Sequence, residues 1–209
     1  MSDGPAKRRA MVLLGSTGAG KTPLGNLIEQ RGLWNQRWVH FDFGAQLRRI
    51  AAGDCDDGRF GRDEIALIQR VLREGALLED EHAPLAERIL GAFLADQASP
   101  ETGVVLNGLP RHLGQVKIVE AFVDVCTVLA LRCPSETAIQ RIRNNVAGDR
   151  TGRCDDTEEM VRAKIELFYQ RTNPLLAHYL DLDIPVRRIV VTATMTPDEV
   201  WRILEHHGC

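Results

Sequence analysis

Gly15-Ser16-Thr17-Gly18-Ala19-Gly20-Lys21-Thr22 is the stretch in which residue type and spacing most plainly suggest chemistry, with the form G-x-x-x-x-G-K-T. Gly15, Gly18 and Gly20 let the backbone turn tightly and aim successive N–H groups, that of Ala19 among them, at an anion. Lys21 supplies a charge that can reach outer phosphates, and Thr22 a hydroxyl suited to Mg²⁺. Ahead of the loop, Met11–Leu14 reads as a buried strand; behind it, Leu24, Leu27 and Ile28 follow helical spacing. A strand, a glycine loop and a helix in that order predict a polyphosphate held at a helix N-terminus. A glycine-rich surface turn would rarely meet so many conditions together.

Two arginine clusters offer more of the same chemistry. Asn107-Gly108-Leu109-Pro110-Arg111 follows the strand candidate Gly103–Leu106, so Arg111 is expected at the carboxyl edge of a sheet, beside the glycine loop. Arg141, Arg143, Arg150 and Arg153 surround a polar stretch from Asn144 to Cys154, with Asp155 and Asp156 following. Taken singly, each cluster is as well read as ordinary: a turn with an arginine, or a solvated helix end with i,i+4 pairs.

Elements able to bring these groups together can be read from the apolar pattern. Strand candidates at Arg37–Phe43, Gly103–Leu106, Thr127–Arg132 and Arg188–Thr192 join the first, with helical patterns between them. This alternation predicts an α/β fold with a mainly parallel sheet and helices on both faces, and ligands beyond the carboxyl ends of its strands. From Gly44 to Pro100 no strand is seen; Asp63–Glu74 and Pro84–Leu94 have helical apolar stripes. Asp54-Cys55-Asp56-Asp57-Gly58 reads as a solvated turn, since its carboxylates do not have calcium-loop spacing. A helix should begin near Ser135 and give way to the Asn144–Cys154 loop, which is expected to move. Asp156-Thr157-Glu158-Glu159, with Asp156 as cap, and Thr196-Pro197-Asp198-Glu199 mark two further helix starts.

The totals bound the function. A chain of 209 residues, 44% hydrophobic, suits one principal domain. Its net charge of −3 argues against a nucleic-acid-binding protein as such. Lysine occurs only at Lys7, Lys21, Lys117 and Lys164, so arginine carries nearly all the basic charge and each arginine must be judged by position. The cysteine count of five is odd and includes no C-x-x-C, against a disulfide framework and a zinc site. Residues 1–9 read as a loose polar arm with no long apolar segment behind it. Neither a signal peptide nor a membrane span is expected, and a reducing cytoplasm fits best.

Taken in register, these segments resemble the adenylate kinase and nucleoside monophosphate kinase family, from about Met11 to Leu204. Gly15–Thr22 matches its phosphate loop, and Gly44-Ala45-Gln46-Leu47-Arg48 is similar to its T-G-D-L-L-R segment. Gly75-Ala76-Leu77-Leu78-Glu79-Asp80 resembles G-x-L-V-x-D, and Gly108-Leu109-Pro110-Arg111 with Gln115 resembles G-F-P-R-x-x-x-Q. Gly152-Arg153-Cys154-Asp155-Asp156 matches G-R-x-D-D, and Asn173–Tyr179 resembles the x-P-L-I-x-Y run. The resemblance implies a P-loop nucleoside monophosphate kinase fold with a five-stranded parallel sheet. It would be a single kinase domain over 1–209, with core 10–43, 101–143 and 156–209, a helical acceptor-binding insertion at 44–100 and a short lid at 144–155.

The activity so implied is transfer of the terminal phosphoryl of Mg·ATP to a nucleoside monophosphate, by a monomer. Gly15, Gly18, Ala19, Gly20, Lys21 and Thr22 would bind ATP. Phe43, Gly44, Arg48, Gly108, Arg111 and Gln115 would line the acceptor site. Lys21, Arg111, Arg153 and Arg141, the last from the lid, would stabilise the transfer, and Thr22 and Asn107 would hold Mg²⁺ through water. Gln115 implies AMP, because an amide can both donate to and accept from the adenine edge.

Several positions depart from the family pattern. Pro23 lacks an N–H, Asn107 stands where an Asp is common, Phe43 and Ala45 replace the Thr and Asp of T-G-D, and Lys164 stands where an arginine is frequent. Phe43, Ala45 and Lys164 leave open a kinase with another nucleotide or a small-molecule acceptor. Asn107 and Pro23 leave open a catalytically weakened ATP-binding regulator.

Overall fold

The computed structural model describes residues 7–54, 58–97, 99, 101–146, 148 and 157–206. Its elements in chain order are β1 (Arg8–Leu14), α1 (Lys21–Arg31), β2 (Trp38–Asp42), α2 (Phe43–Ala52), α3 (Arg62–Glu74), α4 (Ala83–Ala95), β3 (Gly103–Asn107) and α5 (Val116–Phe122), followed by β4 (Val123–Arg132), α6 (Ser135–Arg143), α7 (Glu158–Leu167), α8 (Leu175–Asp181), β5 (Val186–Val190) and α9 (Pro197–His206). The strands form one parallel sheet in the order β2-β3-β1-β4-β5. The chain therefore winds one way from β1 to reach β2 and β3, and the other way to reach β4 and β5. Sheets that reverse their winding leave a crevice at the carboxyl ends of the strands where they do so, and β1 ends there.

β1 and β3 occupy the middle of the sheet and are buried on both faces, which is why they read as unbroken apolar runs. Along β1 the side chains alternate between two cores. Ala10, Val12 and Leu14 point into one with Phe41, Leu47, Ile68, Ile89, Leu106 and Tyr179; Met11 and Leu13 point into the other with Leu24, Ile28, Leu129, Ile139, Ile165 and Leu204. Each fully buried Leu or Ile contributes roughly 1.5–3 kcal/mol relative to exposure. The sheet and the loop at its edge are thus clamped between α2 to α5 with α8 on one side and α1, α6, α7 and α9 on the other.

Several boundaries differ from the sequence reading. Arg8 and Arg9 belong to β1, pairing with Val123 and Asp124, and Arg8 donates to the carbonyls of Ser99, Leu94 and Gln97. The polar arm is therefore shorter than nine residues, because edge-on guanidinium bonds carry the strand past its apolar part. β4 begins at Val123, not Thr127, since α5 runs straight into it without a turn residue. β5 is Val186–Val190, where pairing with Val128–Arg132 fixes it, not Arg188–Thr192. Phe43 opens α2 and does not end β2, because Asp42 caps the helix by accepting from Ala45 N. Thr157, not Asp156, is the N-cap of α7, its hydroxyl accepting from Met160 N. At α9 the expected reciprocal cap is present: Glu199 N donates to Thr196 Oγ1, and Thr196 N to Glu199 Oε2.

Candidate active site

Between β1 and α1 the chain makes the expected glycine loop. Gly18 has φ +79°, and a Cβ there would meet the carbonyl oxygen of Ala138 at 2.7 Å, so the position admits only glycine. Gly20 is the N-cap of α1 and offers no side chain to the helix end. The first intrahelical bond runs from Leu24 N to Gly20 O, so the amides of Lys21 and Thr22 precede the helical ladder. Pro23 sits in this first turn, where a missing N–H costs the helix nothing. Lys21 folds back and donates to the carbonyls of Gly15 and Ser16, at 2.7 and 2.8 Å.

The loop opens into a cleft whose lining includes Lys21, Thr22, Asp42, Phe43, Gly44, Arg48, Gly108, Arg111, Gln115 and Lys164. Arg48 projects from the first turns of α2; a Cβ on Gly44 would lie 3.3 Å both from its guanidinium and from Asp42 Oδ1. Arg111 follows β3, close enough that a Cβ on Gly108 would lie 3.8 Å from its Nε. Burial lowers the Arg111 pKa, the charge of Asp42 opposes this, and Arg48 adds to it. The group remains a cation, next to another cation, which is a place prepared for an anion. Beyond α7 a π-helical turn, Phe168–Thr172, sets the Thr172 hydroxyl to donate to the Arg111 carbonyl at 2.7 Å.

Gln115 is 2% exposed, and its amide is engaged at both ends: Oε1 accepts from Arg111 N at 2.8 Å and Nε2 donates to Leu78 O at 2.8 Å. One lone pair and one N–H remain for other partners. Phe43 is 4% exposed, its ring 6.0 Å from that of Phe41, so most of it is core and one side borders the cleft. Lys164 reaches over Gly75, where a Cβ would meet its Cε at 3.2 Å.

Arg141 is not in the 144–155 segment. It lies on α6, 5% exposed, and its guanidinium donates to the carbonyls of Gly18 (3.1 Å), Thr192 (2.8 Å) and Met195 (2.7 Å). A cation so placed ties the phosphate loop to the segment between β5 and α9 and lends the loop its charge. Arg153, like Arg150, Cys154 and most of the 144–155 segment, lies outside the described residues, as do residues 55–57 of the expected turn. Among the described residues Cys126 and Cys133 are free thiols, and no cluster of His, Cys, Asp and Glu could hold a metal.

Asp42 and His40, which the sequence reading gave no part in the site, complete it around Asn107. Asp42 and Asn107 are register partners at the ends of β2 and β3. Thr22 Oγ1 donates to Asp42 Oδ2 at 2.5 Å, and Asn107 Nδ2 lies 3.0 Å from both oxygens. Behind them His40 Nε2 is 3.4 Å from the same amide nitrogen, and His40 Nδ1 is 2.8 Å from Asn26 Oδ1. Burial alone would raise the Asp42 carboxyl; the Thr22 hydroxyl, the Ala45 N–H and the charges of His40 and Arg48 outweigh it and hold the group below the usual carboxylate range. The only sequence signal was position, since Asp42 closes a strand beside a strand that closes with a polar residue.

No family model matches the chain. Among curated proteins, adenylate kinase isoenzyme 1 of Cyprinus carpio is 26% identical over 206 residues, covering 98% of this chain and 96% of its own. An adenylate kinase of Prochlorococcus marinus is 29% identical over 182 residues, covering 85% and 86%. One from Haloarcula marismortui is 26% identical over 217 residues, covering 91% and 92%.

Proposed function

We propose that the chain, similar over most of its length to adenylate kinases, is a nucleoside monophosphate kinase of that family, passing the terminal phosphoryl of Mg·ATP to a nucleoside monophosphate, AMP first among them. One observation carries the reading: a phosphate loop and two guanidinium groups from separate segments, Arg48 and Arg111, open into one cleft. Donor and acceptor are both anions, so a transferase must neutralise them before it can align them. In the proposed reaction Lys21 exchanges its loop carbonyls for the outer phosphates of ATP, with the first amides of α1 beside it. Arg48 and Arg111 grip the acceptor phosphate, each through a planar fork that matches its oxygens. The bond from the terminal phosphorus to the ADP oxygen then breaks as the acceptor oxygen bonds to that phosphorus. No base is needed, because the acceptor phosphate is already ionised.

The oxygen-rich donor set of Thr22, Asp42 and Asn107 suits a hard divalent cation; these residues would hold it, and once bound it would supply positive charge against the negative charge that develops in transfer. Arg153 and the 144–155 segment, in this proposal, cover the transferred group and keep water from it. The helices of 44–100 form the acceptor side. The proposal extends to a monomeric, cytoplasmic enzyme; among the described residues no helix is long and apolar enough to cross a membrane.

The engaged amide of Gln115 favours a second reading, in which the same kinase prefers an acceptor base other than adenine. A coupled assay with ATP and AMP, CMP, UMP, GMP and their deoxy forms decides between the two. The first predicts the fastest turnover with AMP and its loss in Lys21→Ala and Arg111→Ala; no stimulation by any monophosphate removes both.

A further inference from the structure

At the metal end of the cleft β3 ends in Asn107, an amide at the position where the family pattern has a carboxylate. The charge is one strand away. Asp42, directly across the parallel pair from Asn107, lies with Oδ2 within hydrogen-bond distance of the phosphate-loop hydroxyl of Thr22 and of the Asn107 amide, while Oδ1 is fixed by Ala45 N.

The surroundings of Asn107 explain why an amide stands there. Asn107 is 4% exposed, and its Nδ2 faces three acceptors: Thr22 Oγ1, Asp42 Oδ2 and His40 Nε2. His40 Nδ1 faces the Asn26 carbonyl oxygen and so carries the proton, which leaves a lone pair on Nε2 towards Asn107. A carboxylate at position 107 would confront the Asp42 carboxylate and this lone pair without any proton between them. The arrangement reaches into α1 as well. Gly25 lies in the middle of that helix, where glycine is unfavourable, and a Cβ on it would stand 2.3 Å from His40 Nε2. Gly25, His40, Asp42 and Asn107 therefore form one fitted set, and the amide at 107 is the complement of the carboxylate at 42.

We propose that Asp42, rather than a residue ending β3, is the carboxylate that holds the divalent cation of the donor nucleotide together with Thr22, and that Asn107 and His40 are positioning residues for it. Thr22 Oγ1 gives its proton to Asp42 and accepts one bond from Asn107, which leaves a lone pair towards the cleft. The inference rests on the proposed ATP-dependent transfer, but its test needs no acceptor.

Mn²⁺ binding, followed by paramagnetic resonance in the presence of a non-hydrolysable ATP analogue, is compared in the native protein, Asp42→Asn, Asn107→Asp and the double variant. Asp42→Asn keeps an oxygen to cap α2. It is expected to weaken Mn²⁺ by about tenfold or more, with metal-free nucleotide binding unchanged. Asn107→Asp is expected to lower the melting temperature and not to tighten Mn²⁺. The double variant, with one carboxylate moved back to β3, recovers most of the lost affinity. Unchanged Mn²⁺ binding in Asp42→Asn, or tighter binding in Asn107→Asp, overturns the inference. Either result beside brisk phosphorylation of AMP leaves the proposed function standing. Loss of Mn²⁺ in Asp42→Asn with no monophosphate phosphorylated sinks the function and not the metal assignment.

Discussion

The phosphate loop and the strand ends beside it, only a few ångströms apart, prepare charge in opposite ways. The loop is made by backbone: Gly18 and Gly20 take left-handed conformations, its amides precede the ladder of α1, and Lys21 waits on its carbonyls. At the strand ends side chains do everything, with Thr22, Asp42, Asn107, His40 and Asn26 each setting the orientation of the next. A site built from backbone can lose one side chain and keep its shape. A site built from interlocked side chains fails as a unit.

The contrast is sharpest in Lys21→Ala. We expect phosphoryl transfer to fall on the order of a hundredfold or more, as for loss of one charged group aimed at the reacting phosphate, while the melting temperature stays close to native. A large loss of stability would show the loop to depend on its lysine. Gly25→Ala should do the reverse. The new methyl drives into His40, and overpacking of this kind costs about 1–3 kcal/mol. In a His40→Ala background the same methyl has room, and denaturant melts should then show it neutral or stabilising. Equal costs in both backgrounds would separate Gly25 from the network.

A pH series separates the network's members. Burial holds the His40 imidazole below its ordinary value of 6.5 against the charges of Asp42 and Glu29, so the unfolded chain binds its proton more readily. The stability this group contributes is present above pH 6.5 and is lost as pH falls towards the folded value. Asp42, also lowered, keeps its contribution until pH falls below 3.8. Unfolding free energies measured between pH 8 and pH 5 should decline for the native protein and decline less for His40→Gln. The smallest effect is expected where no network exists. Arg171 forms a two-pronged bridge to Glu79 at 2.7 and 3.1 Å, but both side chains are well exposed, so Glu79→Gln should cost less than about 1 kcal/mol by the same melts.

The same contrast explains what could be read from sequence. Gly15–Thr22 is contiguous, so residue type and spacing give its conformation directly. The sheet was legible for a similar reason: β1 and β3 are buried on both faces and show as apolar runs. Arg48 and Arg111 were legible once their segments were taken in order, and the structure brings both to the cleft. Asp42, His40 and Gly25 were not. Their relation lies in the register of β2 against β3 and in the depth of a helix over a strand, neither of which leaves a local pattern. Arg141 was recognised as an arginine near phosphate chemistry but assigned to the wrong segment, because a buried guanidinium bound to three carbonyls looks, in sequence, like a solvated one.

The central claim is that two nucleotide sites face each other across one cleft. Diadenosine pentaphosphate, which joins two adenosines through five phosphates, tests it by thermal melting. The account predicts a rise in melting temperature larger than that given by ATP or AMP alone at the same concentration, reduced in both Lys21→Ala and Arg111→Ala. A rise no greater than that with ATP, unaffected by Arg111→Ala, would contradict it.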